Sequence, residues 1–259
     1  VSRSLSVKAS RWSTTEIAMA VGGGLLAVAA FAIAKKTFEQ RPLAVGNYFF
    51  PFHDAEYLSP GQSLGGQAFV PPGARDNARL LVYLHGNNDG GMMHGGMGAT
   101  DTAYDLRKIV PSDTIVAAPS QTRNASGAGL WAGFNLDEFV AAVERATGAT
   151  IDKSRVILMG HSGAGCSSVG GLFGKLGVIK PQLVAVVDVC AGPMYGEAYG
   201  RLAEQVPVRV FYQTRTWSRD FAGFQAGLRG RATFEEVQTP AGQSPHSAIV
   251  PIVAKMVLT

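Results

Sequence analysis

Residues 155–165 read RVILMGHSGAG. The run 155–159 is short and mostly apolar, as expected of a strand covered on both faces. It meets Gly160-His161-Ser162-Gly163-Ala164, a serine among small residues. A buried strand, a cramped turn carrying Ser and a small-residue helix start together form the setting of a nucleophile elbow. The turn is so sharp that its neighbours must be small. Gly160 and Ala164 provide that space, Ala164 standing where the strict pattern has Gly. Such a turn lifts the hydroxyl above the sheet and aims the free N–H groups of the next helix at a nearby anion. The same residues also fit a Gly/Ser-rich loop that only binds phosphate or packs tightly.

Outward from this turn, apolar runs alternate with amphipathic stretches. Residues 67–70, 79–84 (RLLVYL), 114–118, 183–189 (LVAVVDV), 208–212 (VRVFY) and 233–237 read as further strands. Asn135 with Glu138 three residues on resembles a capping box and opens a helix to about residue 146. Residues 220–228 look helical, and Ser247 can cap a closing helix with Pro251 in its first turn. Strands alternating with helices predict an α/β fold, a doubly wound and mostly parallel sheet, preceded by one N-terminal apolar helix. Three segments follow: 1–40 as membrane anchor or signal peptide, 41–66 as a linker packing on the domain edge, and 67–259 as the catalytic domain.

The apolar helix is expected at residues 17–34 (IAMAVGGGLLAVAAFAIA), 18 residues without a charge. That is the lower limit for crossing a bilayer. Bases flank both ends, so charge does not choose an orientation. The segment also has the basic, apolar and small-x-small parts of a signal peptide, with Ala32-Ile33-Ala34 as the cleavage site. Either way the downstream domain is expected outside the cytoplasm, membrane-anchored or secreted. The net charge of +4 resides in residues 1–41, and the remainder is neutral. No Lys/Arg cluster on the folded part suggests nucleic-acid binding. With 46% hydrophobic and 16% charged residues the chain is not disordered. The 32 glycines have no collagen period, and two cysteines are too few for a disulfide framework or a Cys-rich zinc site.

The elbow, together with the lead-in Ile151-Asp152-Lys153-Ser154-Arg155-Val156, resembles the α/β-hydrolase superfamily, especially its secreted or membrane-anchored serine esterase-like branch. The resemblance runs from about residue 67 to the C-terminus. It implies an α/β-hydrolase fold and a Ser…acid…His triad. Ser162 would be the nucleophile. Of five histidines, His246 follows the final strand and would be general base, then general acid. His53 lies in the linker, and His85 and His94 follow the 79–84 strand. His85 is expected to brace its loop, and His161 to point its side chain elsewhere. Two acids compete. Asp188 ends the strand after the elbow, flanked by valines, where a charge needs a partner. Asp220 follows the next strand, the usual superfamily position, but also opens a helix. The oxyanion hole would be the backbone N–H groups of Gly163 and Asn87.

Cys166 and Cys190 should lie near the same sheet edge, either bridged or as two buried thiols. Residues 90–98 are low in bulk and could move over the site. Trp131, Phe134, Tyr195, Trp217 and the pair Met92-Met93 are either an acyl pocket or plain core. Asn124-Ala125-Ser126 matches a glycosylation acceptor. The resemblance points to a serine hydrolase that cleaves carboxylic esters of small molecules or polymers, without metal or organic cofactor, touching a membrane through residues 17–34 and binding no nucleic acid. The alternatives are a peptidase or amidase using the same triad, an inactive binding or scaffold module on this fold, and a membrane-anchored structural protein acting through residues 1–41.

Overall fold

The computed structural model describes residues 42–52, 65–86, 106–119, Trp131, 133–166, 170–173, 176–216 and 220–259. The chain divides into Val1–Arg41 and Pro42–Thr259. The first unit, and with it the apolar segment 17–34, lies outside the described residues. Among the described residues no helix is long and apolar enough to cross a membrane.

Eight described strands form one sheet: β1 (Gly46–Phe50), β2 (Gly66–Val70), β3 (Ala78–Leu84), β4 (Thr114–Pro119), β5 (Ile151–His161), β6 (Leu183–Val187), β7 (Val208–Tyr212) and β8 (Thr233–Glu236). Their order is β1-β2-β4-β3-β5-β6-β7-β8. Pairing is antiparallel for β1 with β2 and for β2 with β4, and parallel from β4 onward. β1 arises inside the segment read as a linker. Its residues alternate in exposure and only Phe50 is buried, so it lacks the solid apolar run that marks the central strands.

The side-chain alternation of β3 divides the core. Leu80, Val82 and Leu84 face one apolar layer. There they meet α1 (Leu136–Thr147), α2 (Pro193–Leu202) and α3 (Phe221–Leu228). Leu81 and Tyr83 face the other layer, which is built on α4 (Pro245–Leu258). α1 starts where Asn135 Oδ1 accepts the Glu138 N–H at 3.2 Å, and it ends at Gly148 with φ +67°. That left-handed position favours glycine.

The sequence gives no clear helix signal for α2, because PMYGEAYGRL contains two glycines. These glycines are what lets it pack. A Cβ on Gly200 would lie 2.8 Å from the Gly227 carbonyl oxygen, and one on Gly227 would lie 2.6 Å from the Glu197 nitrogen. The α2 and α3 backbones therefore touch directly, each gap filled by the other helix's main chain.

α4 differs from expectation in its start. Pro245 takes the first helical position and Ser244 precedes it without a side-chain capping bond. Pro251 consequently sits inside the helix rather than in its first turn, and the Ser247 carbonyl loses its usual donor. Burial holds the helix in place. Ile249, Val250, Val253 and Ala254 are fully buried against β3, β5 and β6. Each larger aliphatic chain contributes about 1.5–3 kcal/mol.

Candidate active site

Four parallel strands end side by side. Leu84 pairs with Gly160, His161 with Val187, and Val187 with Phe211. His85 and Gly86 after β3, Ser162 after β5, Asp188 after β6 and Gln213 after β7 thus emerge at one edge of the sheet.

β5 stops because Ser162 adopts φ +52°. A non-glycine residue there carries strain of about 1–3 kcal/mol, a cost that clusters at functional sites. Trp131 (φ +61°) and Asp188 (φ +48°) share this backbone region. Glycines surround the serine for steric reasons. A Cβ on Gly86 would lie 2.7 Å from Ser162 Cβ and 3.1 Å from its Oγ. One on Gly160 would lie 2.7 Å from Leu172. The β3 loop backbone therefore runs directly against the Ser162 side chain.

The segment after the serine corrects one expectation. It is a single 3-10 turn, Ser162–Gly165, not the start of an α-helix. Gly163, Gly165, Gly170 and Gly171 explain this, each costing about 1 kcal/mol relative to alanine in a helix. The turn is anchored by Tyr199, whose hydroxyl donates to the Gly165 carbonyl at 3.0 Å. Burial, with a smaller effect of Tyr195, pushes the Tyr199 phenol well above its usual pKa, so it stays a neutral donor. Gly163, proposed for the oxyanion hole, is buried directly beside Ser162. Asn87 lies outside the described residues, one position beyond Gly86.

His246 is in the first turn of α4, and its Nδ1 lies 2.5 Å from Asp188 Oδ2. Asp188 is 1% exposed. Its carboxylate also accepts from Gln213, through Nε2 to Oδ2 at 2.9 Å and through the backbone N–H to Oδ1 at 3.4 Å. Asp220 is engaged elsewhere. Its carboxylate accepts the Gly223 N–H at 2.8 Å and caps α3. Of the two candidate acids, Asp188 is the one in contact with His246.

His161 does not point away from this cluster. It is buried, and its ring centroid is 4.4 Å from that of His246. Its Nε2 donates to the His246 carbonyl oxygen at 2.8 Å. The residue before Ser162 thus holds the start of α4. No local pattern reveals this contact, which spans 85 residues. His85 is buried and braces its loop: Nδ1 donates to the Gly86 carbonyl at 2.7 Å, and Trp131 Nε1 donates to the His85 carbonyl at 3.0 Å.

Cys166 and Cys190 form a disulfide with their Cα atoms 5.2 Å apart. It ties the turn after Ser162 to the turn after Asp188. Trp131 and Phe134 belong to the apolar core, while Tyr195 packs half-buried on it. His53, Met92, Met93, His94, Trp217, the mobile-loop candidate 90–98 and the acceptor Asn124 lie outside the described residues. Among the described residues no three His, Cys, Asp or Glu side chains are placed to hold a metal ion.

The sequence matches no protein-family model and no curated protein. Solved structures share the fold. A ferulic acid esterase superposes with a TM-score of 0.54 at 12% identity, over 83% of this chain and 98% of its own. The BES protein from Bacillus cereus gives 0.51 at 12% identity, over 85% and 97%. The described residues therefore share with these structures an α/β fold, here a sheet of eight described strands that are mostly parallel.

Proposed function

We propose that the protein is a serine hydrolase that cleaves carboxylic esters through an acyl-enzyme on Ser162. The observation that carries this is the 2.5 Å contact of His246 Nδ1 with the buried Asp188, at the same strand edge as a serine held at φ +52°. With Nδ1–H given to Asp188, the proton-free Nε2 of His246 is the nitrogen available to a hydroxyl. Ser162 Oγ attacks the ester carbonyl and gives its proton to Nε2. The carbonyl oxygen becomes an oxyanion, for which the Gly163 and Asn87 N–H groups are the proposed donors, each such donor being worth about 3–4 kcal/mol of barrier. The intermediate collapses, the C–O bond breaks, and the imidazolium protonates the departing alkoxide. Water then repeats the sequence, releasing the acid and restoring Ser162. Asp188 orients the ring and balances its charge.

An ester is favoured over an amide because its leaving group asks less of the imidazolium. The ferulic acid esterase among the fold neighbours is consistent with an ester, small or borne on a polymer. The disulfide supports an exported domain, since such bonds persist in oxidising compartments. On this reading, residues 17–34 deliver or anchor it there.

A fluorophosphonate probe should label the full chain stoichiometrically and Ser162→Ala not at all, with matched nitrophenyl esters turned over faster than anilides. Faster anilide turnover would make it an amidase. Labelling and ester turnover that survive Ser162→Ala would end the proposal.

A further inference from the structure

We infer that Gln213 is a positioning residue for the Asp188–His246 pair, a neutral clamp that aims the carboxylate and keeps a single negative charge beside the imidazole. This rests on the serine-hydrolase reading of the site. Gln213 follows β7 directly and is 2% exposed. Its Oε1 accepts the Arg215 N–H at 2.7 Å. Its Nε2 donates to Asp188 Oδ2 at 2.9 Å and to Thr216 Oγ1 at 2.6 Å. The amide orientation follows from these partners: a backbone N–H requires the oxygen on one side, and a carboxylate requires the NH2 on the other.

The partners also explain why an amide serves here. Oδ2 receives both Gln213 Nε2 and His246 Nδ1, so the carboxylate plane is defined from two directions. Removing the Gln213 side chain takes away the shorter of its two bonds to the carboxylate and leaves the 3.4 Å backbone one, so the carboxylate is held less firmly against the ring. A carboxylate at position 213 would do the opposite harm. Two carboxylates at hydrogen-bond distance share one proton, and losing that proton puts a second negative charge beside the imidazole. Among the described residues, the charged or titratable groups on the elements around this cluster include His246 on α4, His161 at the end of β5, Arg215, which donates to the Thr239 and Pro240 carbonyls, and Glu236 on β8, which accepts from Thr214. Of these, His246 is hydrogen-bonded to the Asp188 carboxylate, and its ring packs near that of His161.

The test uses the full chain with a short nitrophenyl ester. Gln213→Met keeps the length and removes the hydrogen bonds. It should lower kcat about tenfold, one charge-directed hydrogen bond, with KM within twofold. Gln213→Glu keeps the shape and the Arg215 contact. It should move the acid limb of the kcat/KM profile upward by about one pH unit, because the added charge holds His246 protonated. A merely structural residue would change melting temperature without moving that limb. If both variants keep the wild-type kcat and profile while Ser162→Ala is dead, the inference fails and the hydrolase reading stands. If Ser162→Ala keeps turnover, the hydrolase reading fails and this inference with it. Should Gln213→Met not fold, the Gln213→Glu profile decides alone.

Discussion

Asp188→Asn removes a charge and almost nothing else. Asparagine tolerates the φ of +48° at this position, and its shape fills the same buried space. Its effect follows from the donors already present. Aspartate offers two acceptor oxygens to His246 Nδ1, Gln213 Nε2 and the Gln213 backbone N–H, at 2.5, 2.9 and 3.4 Å. An amide offers one. With that oxygen toward His246 and Gln213 Nε2, the new NH2 faces the more distant backbone N–H, and the ring keeps its tautomer but loses its counter-charge. With the amide reversed, Nδ1 becomes an acceptor and the proton moves to Nε2, the nitrogen that takes the serine proton in the proposed mechanism. The first arrangement sacrifices a charge-assisted bond for a neutral one. That is about 2–3 kcal/mol in the transition state, or about 10²-fold in kcat. The second costs more, up to about 10⁴-fold. We therefore expect Asp188→Asn to lose at least 10²-fold in kcat on a nitrophenyl ester, with an unchanged near-UV circular dichroism spectrum. Asp220→Asn, which preserves the α3 cap, should stay within twofold. An Asp188→Asn enzyme retaining more than a tenth of wild-type kcat would refute the argument, as would a collapse of activity in Asp220→Asn.

Three other outcomes are expected. Gly86→Ala drives a methyl against Ser162 Cβ and should cost about 10²-fold in kcat and slow fluorophosphonate labelling, with the fold intact by circular dichroism. Replacing Cys166 and Cys190 together by serine opens a loop with a sequence separation of 24 and should lower unfolding free energy by about 3.5 kcal/mol, read from urea midpoints. The Arg209 guanidinium, bonded to both oxygens of Glu235 at 3.0 Å, holds that carboxyl below its usual pKa. A lowered carboxylate stabilises the fold above its unfolded pKa of about 4.3 and loses that contribution as pH falls through the folded value. Arg209→Met should therefore reduce stability at pH 7 and flatten its decline below pH ~4.5; an unchanged decline would show that the pair contributes nothing.

The central sheet is legible because Leu80–Leu84 in β3, Val156–Met159 in β5 and Val184–Val187 in β6 are buried on both faces and read as unbroken apolar runs, while β7 keeps the pattern around the single break at Arg209. The elbow is legible because a serine among glycines directly after such a run has few other uses. β1 escapes the reading because an edge strand needs only one buried residue, here Phe50. α2 escapes it because Gly196 and Gly200 look like helix breakers until their partner Gly227 is seen. The competition between Asp188 and Asp220 is open in the sequence for a local reason: both follow a strand, and the capping bond of Asp220 to Gly223 becomes visible only with the fold. The roles of His161 and Gln213 depend on contacts across 85 and 25 residues, which no spacing rule encodes.

The main-chain contact between α2 and α3 has a mechanical consequence. Side chains yield by changing rotamer, and a joint made of backbone atoms has no such compliance. The pair should shift as one slab. α2 leaves the turn that bears Asp188, and α3 is reached from the turn that bears Gln213. Any displacement of α2, and of the Asp188 turn it leaves, is therefore shared with α3 rather than absorbed between the two helices.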